Sequence, residues 1–257
     1  MPLLTAFLRT KHLANRESVY DGTAPTIAGL APGISWTAGK DAGTYHAYSE
    51  QYDIIGGAYT VKPKELTLDF KSGTRFDKTY DGNANVTQSL AKGTHYTLDG
   101  FVGSEGNGIA LGSSAGTYSD KNAAADKTVT FNGLTLTGTG AGNYTLNKTT
   151  LTGIGTIARR ALTLGAVASQ SKTYDGNTLA DTSKFHAALN NVVSGEENLV
   201  TATATGAAYN DKNVAGANRI DYTGVGLAGA DAGNYTLAAT AVRGAGSITH
   251  RDLTLTA

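Results

Sequence analysis

The most regularly placed acidic side chains in this sequence belong to the tripeptide Tyr-Asp-Gly, which occurs at residues 20–22, 80–82 and 174–176. Asp21, Asp81 and Asp175 carry the carboxylates that a cation or a sugar site uses. In the structural alternative, the tyrosine packs in a thin core and the Asp-Gly pair turns the chain, since glycine adopts positive φ without steric penalty. A binding site would be needed only once in the chain, whereas a residue that the fold requires recurs in every repeat. We therefore interpret the tripeptide as structural.

Calcium is the metal for which the sequence offers some ligands. Ca²⁺ takes about six to eight oxygens, several of them from carboxylates. Asp120 and Asp211 lie near Asn122 and Asn213 and could contribute, as could Asp231. The chain has no Asp-x-Asp-x-Asp-Gly loop and no glycine-aspartate nonapeptide repeat. We predict no metal ligands and no cofactor, with calcium as the open alternative.

Enzymatic chemistry finds little support in the residue pattern. The five histidines, at positions 12, 46, 95, 186 and 250, lack the paired spacing of a zinc site. A nucleophile needs a base beside it, and no Gly-x-Ser-x-Gly occurs. We predict a non-enzyme without catalytic residues. An extracellular enzyme that uses such repeats as accessory domains is the third class of longer protein in which this chain would fit.

An internal isopeptide bond is a further alternative, because lysine and asparagine recur at matching positions. The conceivable pairs are Lys78 with Asn143 and Lys172 with Asn234. Ordinary surface lysines are the simpler interpretation.

Glycan binding is the sharpest binding hypothesis, because aromatic faces stack on sugar rings. The only tryptophan, Trp36, lies near Tyr45, Tyr48 and Tyr52 in the sequence. Tyr48 and Tyr52 share strand parity and would face one side if the segment remained extended, whereas Tyr45 has the opposite parity. Core packing of Trp36 is the structural alternative. These four residues are the candidate glycan contacts.

Composition excludes several classes of partner. The 21 basic and 21 acidic residues cancel, which removes the electrostatic footprint of a nucleic-acid or anionic-lipid binder. No stretch has the length of a transmembrane helix, so we expect no membrane insertion. The absence of cysteine excludes disulfides. Residues 1–4 do not resemble the start of a signal peptide, and residues 252–257 match the start of a further repeat, so we expect a piece of a longer protein.

The elements that would position these residues are short strands. Leu66, Leu68 and Phe70 alternate with polar residues, as do Val129 and Phe131. This period of two, bounded by glycine and asparagine turns, indicates strands with one buried face. No segment has a convincing helical pattern, and residues 183–191 are the best candidate for a helix.

Internal repeats divide the chain. The marker Ala-Gly-Asn-Tyr-Thr-Leu recurs at residues 141–146 and 232–237, an offset of 91, whereas the last two Tyr-Asp-Gly copies differ by 94. The three extra residues fall around residues 93–116, a segment that we interpret as a loop. Periodic self-similarity indicates a repeat architecture. We predict domains at residues 1–63, 64–159 and 160–251, which we call the first, second and third repeats, and a further repeat that begins at residues 252–257.

These motifs resemble the YDG and MBG domains of large bacterial surface and secreted adhesins of the filamentous haemagglutinin type. The second and third repeats resemble YDG domains through Lys-Thr-Tyr-Asp-Gly-Asn and Gly-Asn-Tyr-Thr-Leu, and the first resembles the MBG type through Tyr-Asp-Gly-Thr-Ala-Pro and Asp-Ala-Gly-Thr-Tyr. The resemblance covers nearly the whole chain after about the first fifteen residues. It implies surface exposure and β-sandwich folding, and it transfers no catalytic residue.

The resulting expectation is an all-β tandem array of three small β-sandwich domains, Ig-like or related, stacked end to end as a monomeric rod. Its predicted function is that of an extracellular stalk in a secreted or surface-anchored adhesin. The stalk would project a distal binding region and support cell attachment or biofilm. Its partners would be neighbouring repeats of the same longer chain. The alternative is a direct carbohydrate- or matrix-binding module that uses the aromatic residues of the first repeat.

Overall fold

The computed structural model describes residues 9–112 and 114–255. Within these residues the regular structure is β apart from four short 3-10 helices, which confirms the all-β class. Residues 1–8 of the predicted first domain and residues 256–257 of the predicted further repeat lie outside the described residues.

The strands, numbered in chain order over the described residues, are short and separated by turns. They are β1 (Arg9–Leu13), β2 (Arg16–Val19), β3 (Ser35–Trp36), β4 (Gly43–Tyr48), β5 (Tyr52–Gly56), β6 (Ala58–Lys62), β7 (Lys64–Phe70), β8 (Arg75–Thr79), β9 (Tyr96–Asp99), β10 (Ala110–Leu111), β11 (Gly116–Tyr118), β12 (Ala124–Phe131), β13 (Leu136–Thr137), β14 (Tyr144–Leu146), β15 (Leu151–Ala158), β16 (Arg160–Val167), β17 (Gln170–Thr173), β18 (Ala187–Asn190), β19 (Thr201–Thr203), β20 (Gly206–Tyr209), β21 (Arg219–Thr223), β22 (Gly226–Ala228), β23 (Tyr235–Leu237) and β24 (Ala241–Thr249).

The 3-10 helices of the described chain span Glu105–Gly108, Ala141–Asn143, Thr182–Lys184 and Ala232–Asn234. The best helix candidate, at residues 183–191, forms no α-helix, in agreement with the lack of a convincing helical pattern: the 3-10 turn ends at Lys184 and β18 follows. The Asp181 side chain accepts a hydrogen bond from the Ser183 amide and caps this turn. Phe185 and Ala187 are then buried on the period of two that a strand requires.

The chain divides into two compact units. The first comprises Met1–Arg75, Val86–Thr117 and Val129–Ile154, and the second comprises Phe76–Asn85, Tyr118–Thr128 and Gly155–Ala257. The first unit contains the Tyr-Asp-Gly copy at residues 20–22 and the marker at residues 141–146. The second contains the Tyr-Asp-Gly copies at residues 80–82 and 174–176 and the marker at residues 232–237. The domain boundaries near residues 64, 160 and 251 stay predictions.

The first unit contains small sheets around a core of aromatic and aliphatic side chains. Its sheets have the strand orders β2-β6-β4-β3, β14-β7-β9, β1-β5 and β10-β13. In β7, Leu66 and Leu68 are fully buried while Glu65 and Thr67 are exposed, which confirms the predicted alternation. Leu68 pairs with Leu98 across the antiparallel β7–β9 ladder.

The second unit repeats this organisation. Its sheets have the orders β18-β16-β23, β17-β24-β21-β20 and β19-β22. Ile220 and Tyr222 of β21 project into a core cluster that also contains Phe185 and Ile248. Side chains on alternate positions of these strands are therefore buried, as a half-buried sheet requires.

Candidate functional site

In the first unit, two tyrosines hold the carboxylate of Glu105. The Tyr20 hydroxyl donates to Oε1 at 2.8 Å, and the Tyr144 hydroxyl donates to Oε2 at 2.5 Å. The two rings meet edge to face, with centroids 5.4 Å apart and an angle of 78° between their planes. Tyr20 is only 2% exposed. Both oxygens of one carboxylate are thus hydrogen-bonded by phenols whose rings pack together.

A tight turn positions this carboxylate. The Glu105 amide donates to the Val102 carbonyl at 3.2 Å, and Gly103 within the turn has φ of 51°, a conformation that glycine adopts easily. The Tyr144 hydroxyl also accepts a hydrogen bond from the Val102 amide at 3.1 Å. The same hydroxyl therefore fixes both the backbone and the side chain of the turn.

An asparagine makes the adjoining contact. Asn143 Oδ1 accepts a hydrogen bond from the Ala42 amide at 2.7 Å, and its Nδ2 donates to Asp41 Oδ1 at 2.9 Å. Asn143 is buried, so these bonds satisfy polar atoms that would otherwise be costly to bury. The Asn-Tyr pair of the marker motif therefore supplies two neighbouring contacts.

The second unit contains the same arrangement around Glu196. Tyr80 donates to Oε1 at 2.7 Å and Tyr235 donates to Oε2 at 2.6 Å. The ring centroids are again 5.4 Å apart at 78°. The Tyr235 hydroxyl accepts from the Val193 amide at 3.2 Å, as Tyr144 accepts from Val102.

An asparagine makes the adjoining contact in the second unit as well. Asn234 Oδ1 accepts from the Ala123 amide at 2.8 Å, and Nδ2 contacts Asn122 Oδ1 at 3.3 Å. We call the tyrosine pair, the glutamate and the asparagine of each unit the carboxylate clamp. Each clamp joins the Tyr-Asp-Gly tyrosine of one repeat to the glutamate, asparagine and tyrosine of the next.

The clamp of the second unit has an additional cation. Lys121 Nζ lies 2.8 Å from Glu196 Oε1 and 3.2 Å from Asp231 Oδ2. Glu196 is only 6% exposed, and a buried carboxylate is tolerated when it is paired and hydrogen-bonded. The position of Asp231 is occupied by Gly140 in the second repeat, so this second acidic partner is particular to one clamp.

Protonation equilibria follow from this geometry. Hydrogen bonds from Tyr144 and Tyr20 lower the pKa of Glu105 below its ordinary 4.5. For Glu196, burial raises the pKa, but the bonds from Lys121 and the two tyrosines outweigh it, so the net pKa is lowered. Burial and then the bond to the carboxylate raise the pKa of Tyr20 and of Tyr235 to about 12. Ionised glutamates and neutral tyrosines are the forms that the clamps hold.

The glycine of the tripeptide is also part of the contact. Gly22 and Gly82 both have φ of 83°. A Cβ atom added at Gly22 would lie 2.9 Å from Val102 Cγ1, and one added at Gly82 would lie 2.9 Å from Val193 Cγ1. These valines open the turns that carry the clamped glutamates. The tripeptide therefore requires glycine for its dihedral angle and for the close approach of the valine.

The lysine two residues before the tripeptide stabilises the tripeptide turn through contacts within its own repeat. Lys78 Nζ contacts Asp81 Oδ1 at 2.6 Å and the Asn83 carbonyl at 2.8 Å, and it lies 5.5 Å from the Tyr118 ring centroid. The third repeat has the same contacts from its own lysine. They are Lys172 to Asp175 at 2.9 Å, to the Asn177 carbonyl at 2.9 Å and to the Tyr209 ring at 5.3 Å.

These contacts overturn the isopeptide pairs. Lys78 and Lys172 bind the aspartate and asparagine of their own tripeptide turns, while Asn143 and Asn234 serve the clamps. Each side chain therefore has partners other than those that the cross-link requires.

The candidate glycan contacts lie in the first unit. Trp36 is half-buried, packs on Tyr59 at 6.0 Å and donates from Nε1 to the Tyr45 carbonyl at 3.3 Å. Tyr48 is 62% exposed, and Tyr45 and Tyr52 are half-buried. The chain does not remain extended between Tyr48 and Tyr52, because β4 ends and β5 begins there. Glycan contact at these residues stays a prediction.

The candidate calcium ligands have protein partners. Asp120 pairs with Lys127 at 2.7 Å, Asp231 binds Lys121, and Asp211 accepts a hydrogen bond from the Asn213 amide. Among residues 9–112 and 114–255, no group of three or more histidine, aspartate or glutamate side chains is placed to hold a metal ion. The lack of a bound metal stays a prediction, with calcium as the open alternative. In the same described ranges, no helix is long and apolar enough to cross a bilayer.

The clamped glutamates are the residues that sequence analysis missed. Glu105 lies inside the segment 93–116 that we interpreted as a variable loop. Its counterpart Glu196 is offset by the same 91 residues as the later markers, and Val102 and Val193 share that offset. The shared pattern Val-x-x-Glu was the available signal, and it places the three extra residues before β9.

Comparison with known proteins addresses the repeats directly. A sequence model of the YDG domain matches residues 62–151 and 158–242, which together are more than half of the chain. No curated protein matches this sequence. With both matched segments carrying a clamped glutamate and the Asn-Tyr pair, the chain belongs to the YDG domain family.

Proposed function

We propose that this chain is a non-enzymatic stalk segment of a secreted or surface-anchored bacterial adhesin of the filamentous haemagglutinin type. Three small β-sandwich domains, the first of the MBG type, would stack end to end as a rod. The rod would project a distal binding region away from the cell and so support attachment or biofilm formation.

The observation that carries the proposal is the recurrence of the carboxylate clamp. Two successive pairs of repeats use the same tyrosine, glutamate, asparagine and tyrosine, with identical ring distances and angles. In an array whose repeats contact only their neighbours, the nearest-neighbour interface sets the geometry of the whole. A repeated interface of one design therefore favours an array of regular spacing.

The chemistry of the clamp favours a stiff junction. A buried carboxylate that loses a partner keeps its desolvation penalty without the compensating bond. Partial opening of the junction would leave the buried Glu196 in that state. The junction is therefore expected to be closed or fully open rather than loosely hinged.

Small-angle X-ray scattering on chains of increasing length tests the stalk. The extended chains would consist of residues 1–251 followed by one or two copies of residues 161–251 and then residues 252–257. A rod grows in maximum dimension by a constant increment per repeat, whereas for a compact particle the radius of gyration grows only as about the 0.38 power of length. Compact growth would reject the rod.

The adhesin assignment needs its own test. Antibodies raised against residues 64–251 should label intact cells of the source bacterium, and deletion of the coding region should reduce attachment. Labelling only after cell lysis would contradict surface exposure.

Direct carbohydrate binding is the second candidate function, favoured by the 62% exposure of Tyr48 in β4, the strand that pairs with the strand of Trp36. Trp36 is the only tryptophan, so its fluorescence reports on this site alone. A stacked sugar should shift the emission, and Tyr48→Ala should abolish the shift. An unchanged spectrum across a glycan panel would reject this function.

A further inference from the structure

The third copy of the tripeptide has a different environment from the other two. Tyr20 and Tyr80 are buried to 2% and 0% exposure, whereas Tyr174 is half-buried. Gly176 has φ of 84°, the same conformation as Gly22 and Gly82, yet a Cβ atom added to it would meet nothing within 4 Å. The third tripeptide is folded like the others but has no valine against its glycine.

The backbone segment that binds the clamp asparagine also occurs a third time in the chain. In each clamp a Lys-x-x segment offers its last backbone amide to the clamp asparagine. The three such segments are Lys40-Asp41-Ala42, Lys121-Asn122-Ala123 and Lys212-Asn213-Val214. In the first two, the amide of Ala42 or Ala123 donates to the asparagine. Lys212 and Asn213 are exposed.

These third counterparts come together at one cleft. Tyr174, Gly176, Asn213 and Val214 line a single open cavity of about 510 Å³ within the second unit. Asp175, His250, Arg251 and Leu253 complete its lining. The tyrosine, the glycine and the amide-bearing segment of a clamp are thus assembled in the absence of a clamped glutamate.

We propose that this cleft is the acceptor site for a further YDG-type repeat, which would complete a third carboxylate clamp. The incoming Val-x-x-Glu turn would place its valine against Gly176 and its carboxylate on the Tyr174 hydroxyl and the Lys212 ammonium. The incoming asparagine would accept from the Val214 amide and donate to Asn213. This inference rests on the proposed function, because it treats the clamp as the junction of the array.

The partner in this proposal is a repeat whose glutamate turn and Asn-Tyr pair are not already held in a clamp. It is not a second copy of this chain. Glu105 and Glu196, with their asparagine and tyrosine neighbours, are already held by Tyr20 and Tyr80. Two intact chains therefore have no free glutamate turn to exchange. Charge also favours the acidic turn, because Arg251 lines the cleft, Lys212 precedes the lining residue Asn213, and the carboxylate of Asp175 is already paired with Lys172.

Tyrosine nitration of an extended chain tests the proposal. The chain would consist of residues 1–251 followed by a copy of residues 161–257 in which the tyrosine corresponding to Tyr174 is replaced with phenylalanine, so that the peptide of the original Tyr174 is unique. The copy supplies one further Val-x-x-Glu turn and one further Asn-Tyr pair. Tetranitromethane modifies exposed tyrosines, and peptide mass spectrometry reports each site. We expect nitration of Tyr174 to fall by about tenfold or more relative to the 257-residue chain, because modification then requires opening of the junction. Exposed Tyr48 provides the constant reference.

A matched variant identifies the contact. Replacing the glutamate of the added copy that corresponds to Glu196 with glutamine should restore much of the nitration at Tyr174, while the same change at the copy of exposed Glu197 should not. Equal nitration of Tyr174 in both chains, with Tyr80 protected, would overturn the acceptor site alone. Ready nitration of Tyr80 in the 257-residue chain would instead reject the clamp and with it the proposed stalk.

Discussion

The hydroxyl of Tyr80 lies 2.7 Å from a carboxylate oxygen of Glu196, a residue 116 positions further along the chain. This bond joins the Tyr-Asp-Gly motif of one repeat to a turn of the next, so the motif defines a junction as much as a domain. The equivalent bond from Tyr20 to Glu105 spans 85 positions. The copies of the signature at Tyr20 and Tyr80 are therefore explained by one contact, which recurs from the first repeat to the second and from the second to the third.

Removal of the charge at Glu196 should weaken the junction without changing its shape. In Glu196→Gln, the bonds from Lys121, Tyr80 and Tyr235 lose their charge assistance, and the amide nitrogen cannot accept from a phenol. Bonds to charged groups contribute about 1.5–3 kcal/mol each, so we expect a loss of about 2 kcal/mol or more in the free energy of unfolding. Urea titration followed by circular dichroism measures it.

Glu197→Gln is the matched control for this prediction. Glu197 is exposed and accepts one bond from the Gly195 amide, so its replacement should change stability by about 0.5 kcal/mol or less. Equal effects of the two substitutions would contradict the clamp.

The local structure of this chain was predictable because its determinants are local. The alternation of Leu66 and Leu68 with polar neighbours predicted β7 correctly, since a strand has a period of two whatever it packs against. The glycine of each tripeptide was expected to turn the chain, and Gly22, Gly82 and Gly176 all have positive φ.

The partners of these residues were not predictable from one sequence. Tyr80 was expected in a core, and it is buried. The residues near it in the sequence give no indication that its hydroxyl bonds to Glu196, which lies 116 positions away. The glutamate lies in a glycine-containing turn whose composition resembles any loop. Residues 183–191, the best of the unconvincing helix candidates, form a 3-10 turn and a strand, and Phe185 and Ala187 are buried at the period of two that a strand requires.

Alanine substitution at the equivalent positions Gly82 and Gly176 should distinguish the cost of left-handed backbone strain from the cost of close contact with the valine of the junction. Gly82 and Gly176 have φ of 83° and 84°, so each alanine variant incurs about 1–2 kcal/mol of left-handed strain. At Gly82 the new Cβ atom also meets Val193 at 2.9 Å, whereas at Gly176 it meets nothing within 4 Å. We expect Gly82→Ala to lower the free energy of unfolding by about 1 kcal/mol more than Gly176→Ala.

The double variant Gly82→Ala with Val193→Ala provides the control. Removal of the valine methyl groups should make the two substitutions less than additive, which a double-mutant cycle measures. Strict additivity would show that the valine contact is not the source of the difference.

Lys78 should stabilise its own repeat through the tripeptide turn. Its side chain is 5% exposed and bonds to Asp81 and Asn83, so Lys78→Met keeps the aliphatic volume but leaves these acceptors without their donor. We expect a loss of about 1.5–3 kcal/mol, because hydrogen bonds that involve a charged group contribute about that much. Lys172→Met in the third repeat should cost less, since that side chain is 17% exposed. Thermal unfolding of both variants compares them, and the reverse order would contradict this account.

Acid should weaken the clamps before it unfolds the strands. Because the folded state lowers the pKa of Glu105 and of Glu196, their stabilisation is present above about pH 4.5 and is lost as the pH falls through the lowered values. Side-chain hydrogen bonds from nearby threonine, lysine or serine residues also lower the pKa values of other carboxylates. These are Asp21, Asp120, Asp175 and Asp181. The difference in stability between wild type and Glu196→Gln isolates one clamp, and it should shrink as the pH falls from 5 towards 3, to about zero only below the lowered pKa.

Alkali should act on the same clamps through the tyrosines. The pKa of Tyr235 is raised to about 12 by burial and by its bond to Glu196, so the neutral phenol stabilises the fold below pH 10. Between pH 10 and about 12 the unfolded chain loses this proton while the folded chain retains it, and stability must fall. Tyr235→Phe removes the titrating group and should flatten this limb in urea titrations at pH 9, 10 and 11. Tyr48→Phe, at an exposed position, should leave the slope of stability against pH unchanged. An equal slope in Tyr235→Phe and wild type would show that the clamp does not hold the neutral phenol.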